Sequence, residues 1–387
     1  MRSSSPARPL ALALLALLAV WVLTSLEPVR RGYDALLVLG DLLGRPLPAV
    51  LDTRPRAERR TIVFEHEGRG YAGDLYRPEG RAQAGVVFVP GAAELGKDDP
   101  RVVALAASLA RARFAVLVPD VVALRELRLL PESALDIGDA LAWMLSEAGL
   151  TPQGRLGLVT TSVAIGPAVL ALLDPPLSAD VDFVVSIGGY HALPRTLVYL
   201  TTGFYEAHGV SLRLPPKEYG KWVYALSNAV RIDSPEERAA FEALAWRKFR
   251  DPEADVTAEL ARSGPVARKI YAFVANRDPA RSETLLANLP EVLLADIDAL
   301  DLSAKDLGRI AARFFLVHGI DDDMIPYGES LSLAAALRPG QAKVFLLEGF
   351  HHVDIPPQFA DGYRMWRAVE TLLRERSRRP RRQWAER

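Results

Sequence analysis

The sequence predicts an α/β protein: a doubly wound, mostly parallel sheet with an inserted helical cap, preceded by an N-terminal membrane helix. Three observations predict it. From about residue 61, short uninterrupted apolar runs alternate with helical stretches, the pattern of parallel strands covered on both faces. Between Tyr190 and Arg313 the alternation stops for about 120 residues, too long for a loop. Residues Pro9 to Leu26 carry no charge.

That uncharged run of 18 residues would span about 27 Å as a helix, near the lower limit for a bilayer core. The segment Leu23-Thr-Ser-Leu-Glu-Pro28 that closes it lacks the small residues of a scission site. The expectation is therefore an uncleaved single-pass anchor over 9–26, with a cleaved signal or a merely buried helix as alternatives. Arg2 and Arg8 precede the run, in a basic tail over 1–8, and Arg30 and Arg31 follow it. The short basic tail favours an N-terminus in the cytoplasm, which puts the large domain outside the cytoplasmic membrane, on the periplasmic side. Gly32 to Gly44 is leucine-rich but carries Asp34 and Asp41; it reads as an amphipathic helix on the membrane surface or against the domain. Arg45 to Arg60, rich in Pro and Arg, reads as a linker and completes a segment over 27–60.

Thr61–His66 and Tyr71–Tyr76 alternate in part, with glycine between them, as in a strand hairpin. Then come strand Ala84–Pro90 and helix Arg101–Arg111, strand Phe114–Pro119 and helix Ser133–Glu147, strand Leu156–Val159 and helix Gly166–Leu173, and strand Val181–Ile187. These make the first part of the core, 61–189. Right-handed crossovers between parallel strands wind such a sheet in both directions. Residues 190–312 hold helical patches at Ser234–Phe249 and Pro279–Leu289, broken at Leu214-Pro-Pro and Ser263-Gly-Pro; they read as a cap, either scaffold or lid. The second part of the core, 313–375, holds strand Arg313–Val317, a helix near Ser330–Leu337, strand Lys343–Leu347 and helix Gly362–Arg374. Arg374 to Arg387 carries seven Arg against two Glu. Its end, 376–387, is a basic tail, solvated or attracted to anionic lipid headgroups.

Half of the 387 residues are hydrophobic and a quarter charged, which is ordinary for a folded protein. The net charge of −1, without an aromatic-interleaved basic fold, gives no reason to expect nucleic acid as a partner. The chain has no cysteine, which excludes disulfides, thiol catalysis, Cys-based zinc and a lipoprotein anchor. Neither a phosphate-binding glycine loop nor metal-ligand spacing occurs, so no cofactor and no metal is expected.

Three separated segments carry chemistry: Arg155-Leu-Gly-Leu-Val-Thr-Thr-Ser162-Val-Ala164, His318-Gly-Ile-Asp-Asp-Asp-Met-Ile-Pro326, and Leu347-Glu-Gly-Phe-His-His352. Ser162 follows an apolar strand, as a nucleophile on a strand-to-helix turn does, or as a serine that begins a helix does. The three consecutive Asp residues suit a catalytic acid, a solvated turn or a loose cation site. The paired histidines suit a general base or a polar loop exposed to solvent.

The order Ser, Asp, His, each after a strand, resembles the α/β-hydrolase superfamily over about residues 61 to 375, with the look of bacterial dienelactone-hydrolase-like or esterase-like members. Asp136-Ile-Gly-Asp-Ala-Leu-Ala-Trp143 is similar to the helix before the nucleophile strand in that group. The resemblance implies Ser162 as nucleophile and Asp322 as acid, with Asp321 or Asp323 if the register shifts. It implies His352 as base, counting from Gly349, with His351 as the alternative. The oxyanion hole falls to the backbone N–H groups of Val163 and of Ala92, or of Ala93. His191, after Gly188-Gly-Tyr190, stands where it would touch substrate. The departure is at the nucleophile turn, where Thr160 and Ala164 replace the glycines of Gly-x-Ser-x-Gly; a β-branched residue there crowds the turn. The function implied is a membrane-anchored serine hydrolase cleaving a carboxylic ester or thioester of a small-molecule or lipid-like acyl substrate. The alternative is a catalytically inactive binding or assembly protein at the membrane.

Overall fold

The structure, a computed structural model, describes residues 26–46, 48–175, 177–352 and 361–378. Helix α1 (Glu27–Leu42) comes first, then strands β1 (Ala57–His66), β2 (Arg69–Pro78) and β3 (Ala84–Val89). Helix α2 (Pro100–Arg111), β4 (Phe114–Pro119), α3 (Ser133–Ser146), β5 (Leu156–Thr161), α4 (Ile165–Leu173) and β6 (Phe183–Ile187) follow. An insertion then carries α5 (Leu193–Thr202), the hairpin β7 (Phe204–Ala207) and β8 (Val210–Arg213), α6 (Glu218–Ala229), α7 (Pro235–Arg250), α8 (Thr257–Arg262), α9 (Pro265–Val274), α10 (Pro279–Ala287) and α11 (Glu291–Leu300). The chain returns through β9 (Arg313–Gly319), α12 (Gly328–Ala336), β10 (Ala342–Leu347) and α13 (Gly362–Glu375).

Eight strands form one sheet in the order β1-β2-β4-β3-β5-β6-β9-β10. Within this sheet the β1–β2 and β2–β4 pairings are antiparallel and the others parallel. Strands β3, β4 and β5 bury every residue up to Val159, which is why their apolar runs are unbroken. β1 starts at Ala57 rather than Thr61, so the end of the expected linker is strand. It lies at the sheet edge with Glu58, Arg59 and Arg60 exposed, and an exposed edge strand has no apolar alternation to betray it.

Two cores flank the sheet. One joins it to α3, α4 and the insertion, the other to α1, α2 and α13. The insertion is helical because its helices start with strong signals. Ser234 Oγ accepts from Glu237 N at 3.3 Å before α7, and Asp278 Oδ1 from Ala280 N at 3.0 Å before α10, each followed by a proline at the first position. The hairpin β7–β8 was not expected; strands of four residues carry too little alternation to be read.

Of the two placements open to the amphipathic segment, α1 takes the domain surface. Ala35, Val38 and Leu39 are buried in the second core. Arg31 Nε donates to Glu370 Oε1 at 2.7 Å, and Trp366 Nε1 to Gly32 O at 2.8 Å. Arg376 reaches back to Asp34 Oδ2 at 2.6 Å and to Ala112 O at 2.7 Å. Arg376, expected in the solvated tail, is in fact fully buried, because this pairing draws it in. Replacing Asp34 by Ala strands that guanidinium and is expected to cost about 3–5 kcal/mol, read as a lower urea midpoint at unchanged m value.

The anchor expected over 9–26 lies outside the described residues except for Leu26, and the tail does so beyond residue 378. Among the described residues no helix is long and apolar enough to cross a membrane.

Candidate active site

β5 ends at Thr161, and the chain turns sharply through a single 3₁₀ turn, Ser162–Ala164, into α4. Ser162 has φ +55°, a left-handed conformation that a non-glycine residue holds only where its surroundings fix it. Thr160 does not prevent this turn. It is fully buried, with its hydroxyl 3.4 Å from Val185 O. Relief comes from across the turn: a Cβ on Gly91 would lie 2.9 Å from Ser162 Cβ and 3.0 Å from Thr161 O, so the loop after β3 leaves room that the turn itself lacks.

Ser162 Oγ is 2.8 Å from His352 Nε2, and His352 Nδ1 is 2.9 Å from Asp322 Oδ2. Asp322, fully buried after β9, accepts with its other oxygen from Met324 N and Ile325 N, each at 2.9 Å. With Asp322 accepting at Nδ1–H, His352 presents a bare Nε2 to the serine hydroxyl. Burial pushes the Asp322 carboxyl up. The charge of a protonated His352 and hydrogen bonds from His318 and His352 outweigh it and hold the carboxyl well below its ordinary range. His318 is itself fully buried, its Nε2 2.8 Å from Ile325 O and 3.3 Å from Asp322 Oδ2, its Nδ1 2.7 Å from Ser330 Oγ.

The neighbours in each run point elsewhere. Asp321 Oδ2 accepts from Gly349 N at 3.0 Å, Asp323 faces Lys217 Nζ at 3.5 Å, and exposed His351 lies 3.3 Å from Asp321 O. Among the described residues no group of three acidic or histidine side chains is arranged to hold a metal ion.

Ser162, Val163, Ala92 and His352 border one cavity of about 580 Å³. Ala93 N–H donates to Leu124 O at 3.3 Å and Gly91 N–H to Thr161 Oγ1 at 2.8 Å. Between them, Ala92 N–H has no protein acceptor among the described residues. His191 requires a correction. It is buried and does not border the cavity. Its backbone N–H and that of Ala192 both donate to Glu329 Oε2, at 2.9 and 2.6 Å, which ties the start of α5 to α12. Burial also lowers its pKa.

Three contributors went unread in the sequence. Thr161 fixes the loop that carries Ala92. His318 sits on the acid. Gly188, with φ +61°, passes so close that a Cβ would lie 3.2 Å from both Asp322 Oδ2 and His352 Nδ1. Two gave a signal: Gly188-Gly189 as a glycine pair just past a strand, and His318 as the residue that opens the Asp322 segment.

No family model and no curated relative matches the chain. Among solved structures it is similar to a Legionella pneumophila protein named as a hydrolase, with TM-score 0.55 and 12% identity over 88% of this chain and 94% of that one. It is also similar to a puromycin-hydrolysing peptidase from Mycobacterium tuberculosis (TM-score 0.47, 18% identity, 87% of this chain), spanning 41% of that chain's length. A dienelactone hydrolase from Anabaena variabilis is similar at TM-score 0.43 and 13% identity, over 82% of this chain and 96% of that one. At these identities the likeness concerns architecture. With its sheet order and the insertion after β6, the chain has the α/β-hydrolase fold.

Proposed function

We propose that this protein is a serine hydrolase that cleaves a carboxylic ester or thioester. The carrying observation is the unbroken relay Ser162 Oγ, His352, Asp322, at 2.8 and 2.9 Å, on a left-handed serine that opens into a cavity. Ser162 Oγ attacks the carbonyl carbon while His352 Nε2 takes its proton. Asp322 keeps Nδ1 protonated and offsets the imidazolium charge. The N–H groups of Val163 and Ala92 receive the oxyanion. Collapse expels the alcohol or thiol, protonated by His352, and leaves an acyl ester on Ser162. Water, deprotonated by the same imidazole, then releases the acid. In this reading the uncharged run Pro9–Leu26 anchors the enzyme with its large domain outside the cytoplasmic membrane, and the substrate is small or lipid-like.

The test is covalent labelling. A fluorophosphonate probe should modify the protein, and Ser162→Ala should abolish it. A folded parent that takes no label would instead mark a binding protein that keeps the fold without the chemistry. Thr161→Val tests the donor loop. It removes the acceptor of Gly91 N–H, and labelling should slow about tenfold or more without a matching fall in melting temperature.

A further inference from the structure

The cavity does not stop at the cap. One lobe lies under α5 and α6, bordered by polar Thr196, Lys217 and Ser227 as well as apolar groups. A second lobe descends from Ser162 on the opposite face of the sheet, into the core that α2 and α13 share. Strand register defines its inner wall. Ile187 and Val317 are paired near the strand ends, and below them Phe88, Val159, Val185 and Phe315 line up across four strands. Residues two apart share a face, so both rows look the same way. The outer wall is Val102, Leu105 and Leu109 of α2 and Ala368, Val369 and Leu372 of α13. Helix α1 packs over both helices, and the lobe reaches its last residues, Asp41 and Leu42.

The charges bordering this lobe are already matched. Asp99 and Arg101, in the first turn of α2, pair with each other at 2.7 Å. Asp41, at the far end, accepts from Arg54 at 2.9 Å and from Ser108 at 2.6 Å. What remains is a hydrocarbon-walled space that opens at the nucleophile and ends on a neutralised cluster.

We propose that this second lobe is an acyl-chain channel, making the substrate an ester or thioester of a medium-chain, unbranched fatty acid. The proposal rests on the serine-hydrolase reading for which side of the scissile bond it receives. The leaving group then faces the more polar lobe under the cap. Depth sets the length. From Val102 to Leu109 the outer wall rises about 10 Å. An extended chain advances about 3.6 Å per three bonds, so the channel holds about eight carbons.

The full chain would be assayed on p-nitrophenyl esters from acetyl to dodecanoyl. Each buried methylene contributes about 0.8 kcal/mol, so kcat/KM should rise about fourfold per carbon and level off near eight to ten carbons. Ala368→Phe on one wall and Val102→Phe on the other should each lower the octanoyl-to-acetyl ratio at least tenfold. In parallel, calorimetry of decanoate with Ser162→Ala protein should show binding that Ala368→Phe removes, a readout that needs no turnover. A flat length profile overturns the channel, as does a profile moved by Leu200→Phe under the cap but by neither wall variant. Decanoate binding that Ala368→Phe abolishes, in a protein that turns over no ester, would sink the hydrolase reading and leave the channel standing. Turnover without decanoate binding would do the reverse.

Discussion

Replacing Asp322 by asparagine is expected to lower kcat about ten-thousand-fold while the protein stays folded. The side-chain oxygen still accepts from Met324 N and Ile325 N. The amide nitrogen then takes the place of Oδ2, 2.9 Å from His352 Nδ1 and 3.3 Å from His318 Nε2. A donor facing Nδ1 selects the other tautomer, with the proton on Nε2 aimed at Ser162, so the imidazole has no lone pair for the serine proton. His318 Nε2–H, shared in the parent between Ile325 O and the carboxylate, is left with Ile325 O alone. The check is labelling rate together with kcat and KM: loss in kcat at near-normal KM marks a base held in the wrong tautomer. In the parent the depressed Asp322 pKa keeps that carboxylate charged through the range where imidazoles titrate. Protonation of that carboxylate should therefore add no step to the acid limb of the pH profile above pH 4 or so.

Gly319→Ala should have the largest effect on stability. Gly319 closes β9, and a Cβ there would overlap the Phe350 carbonyl oxygen. That neighbour is backbone and cannot swing aside, and Phe350 is two residues from His352. Either the strand end or the segment Phe350–His352 has to move. The expected cost is about 3–5 kcal/mol, with His352 drawn away from Ser162. A melting temperature within a degree of the parent, with unchanged labelling, would show that the two segments are not held together as described.

The central strands were legible because burial on both faces leaves one kind of residue in each. β1 was legible only in part, since an edge strand is free to be polar. At the site, the Asp322 motif is local: His318, Asp322 and Ile325 are bound to one another within a few residues, so sequence spacing carries the geometry. His352 depended on a count from Gly349, and its neighbour His351 differs only in which way a loop turns. His191 misled for the opposite reason. Its position after β6 is near the site, but the backbone there is held by Glu329, more than a hundred residues away, and the residue does not border the cavity. Separation in sequence also hides the Thr161–Gly91 bond and the fate of Arg376. The second lobe had no signature at all, because a void is a property of facing walls and belongs to no segment.

The nucleophile turn carries a lesson for recognising chains of this kind. A text pattern that demands glycine two places before the serine passes over this protein. The bare backbone that lets Ser162 adopt its conformation stands at Gly91, on another strand's loop and 71 positions upstream. A template written in space, asking only that something opposite the serine lack a side chain, would find it.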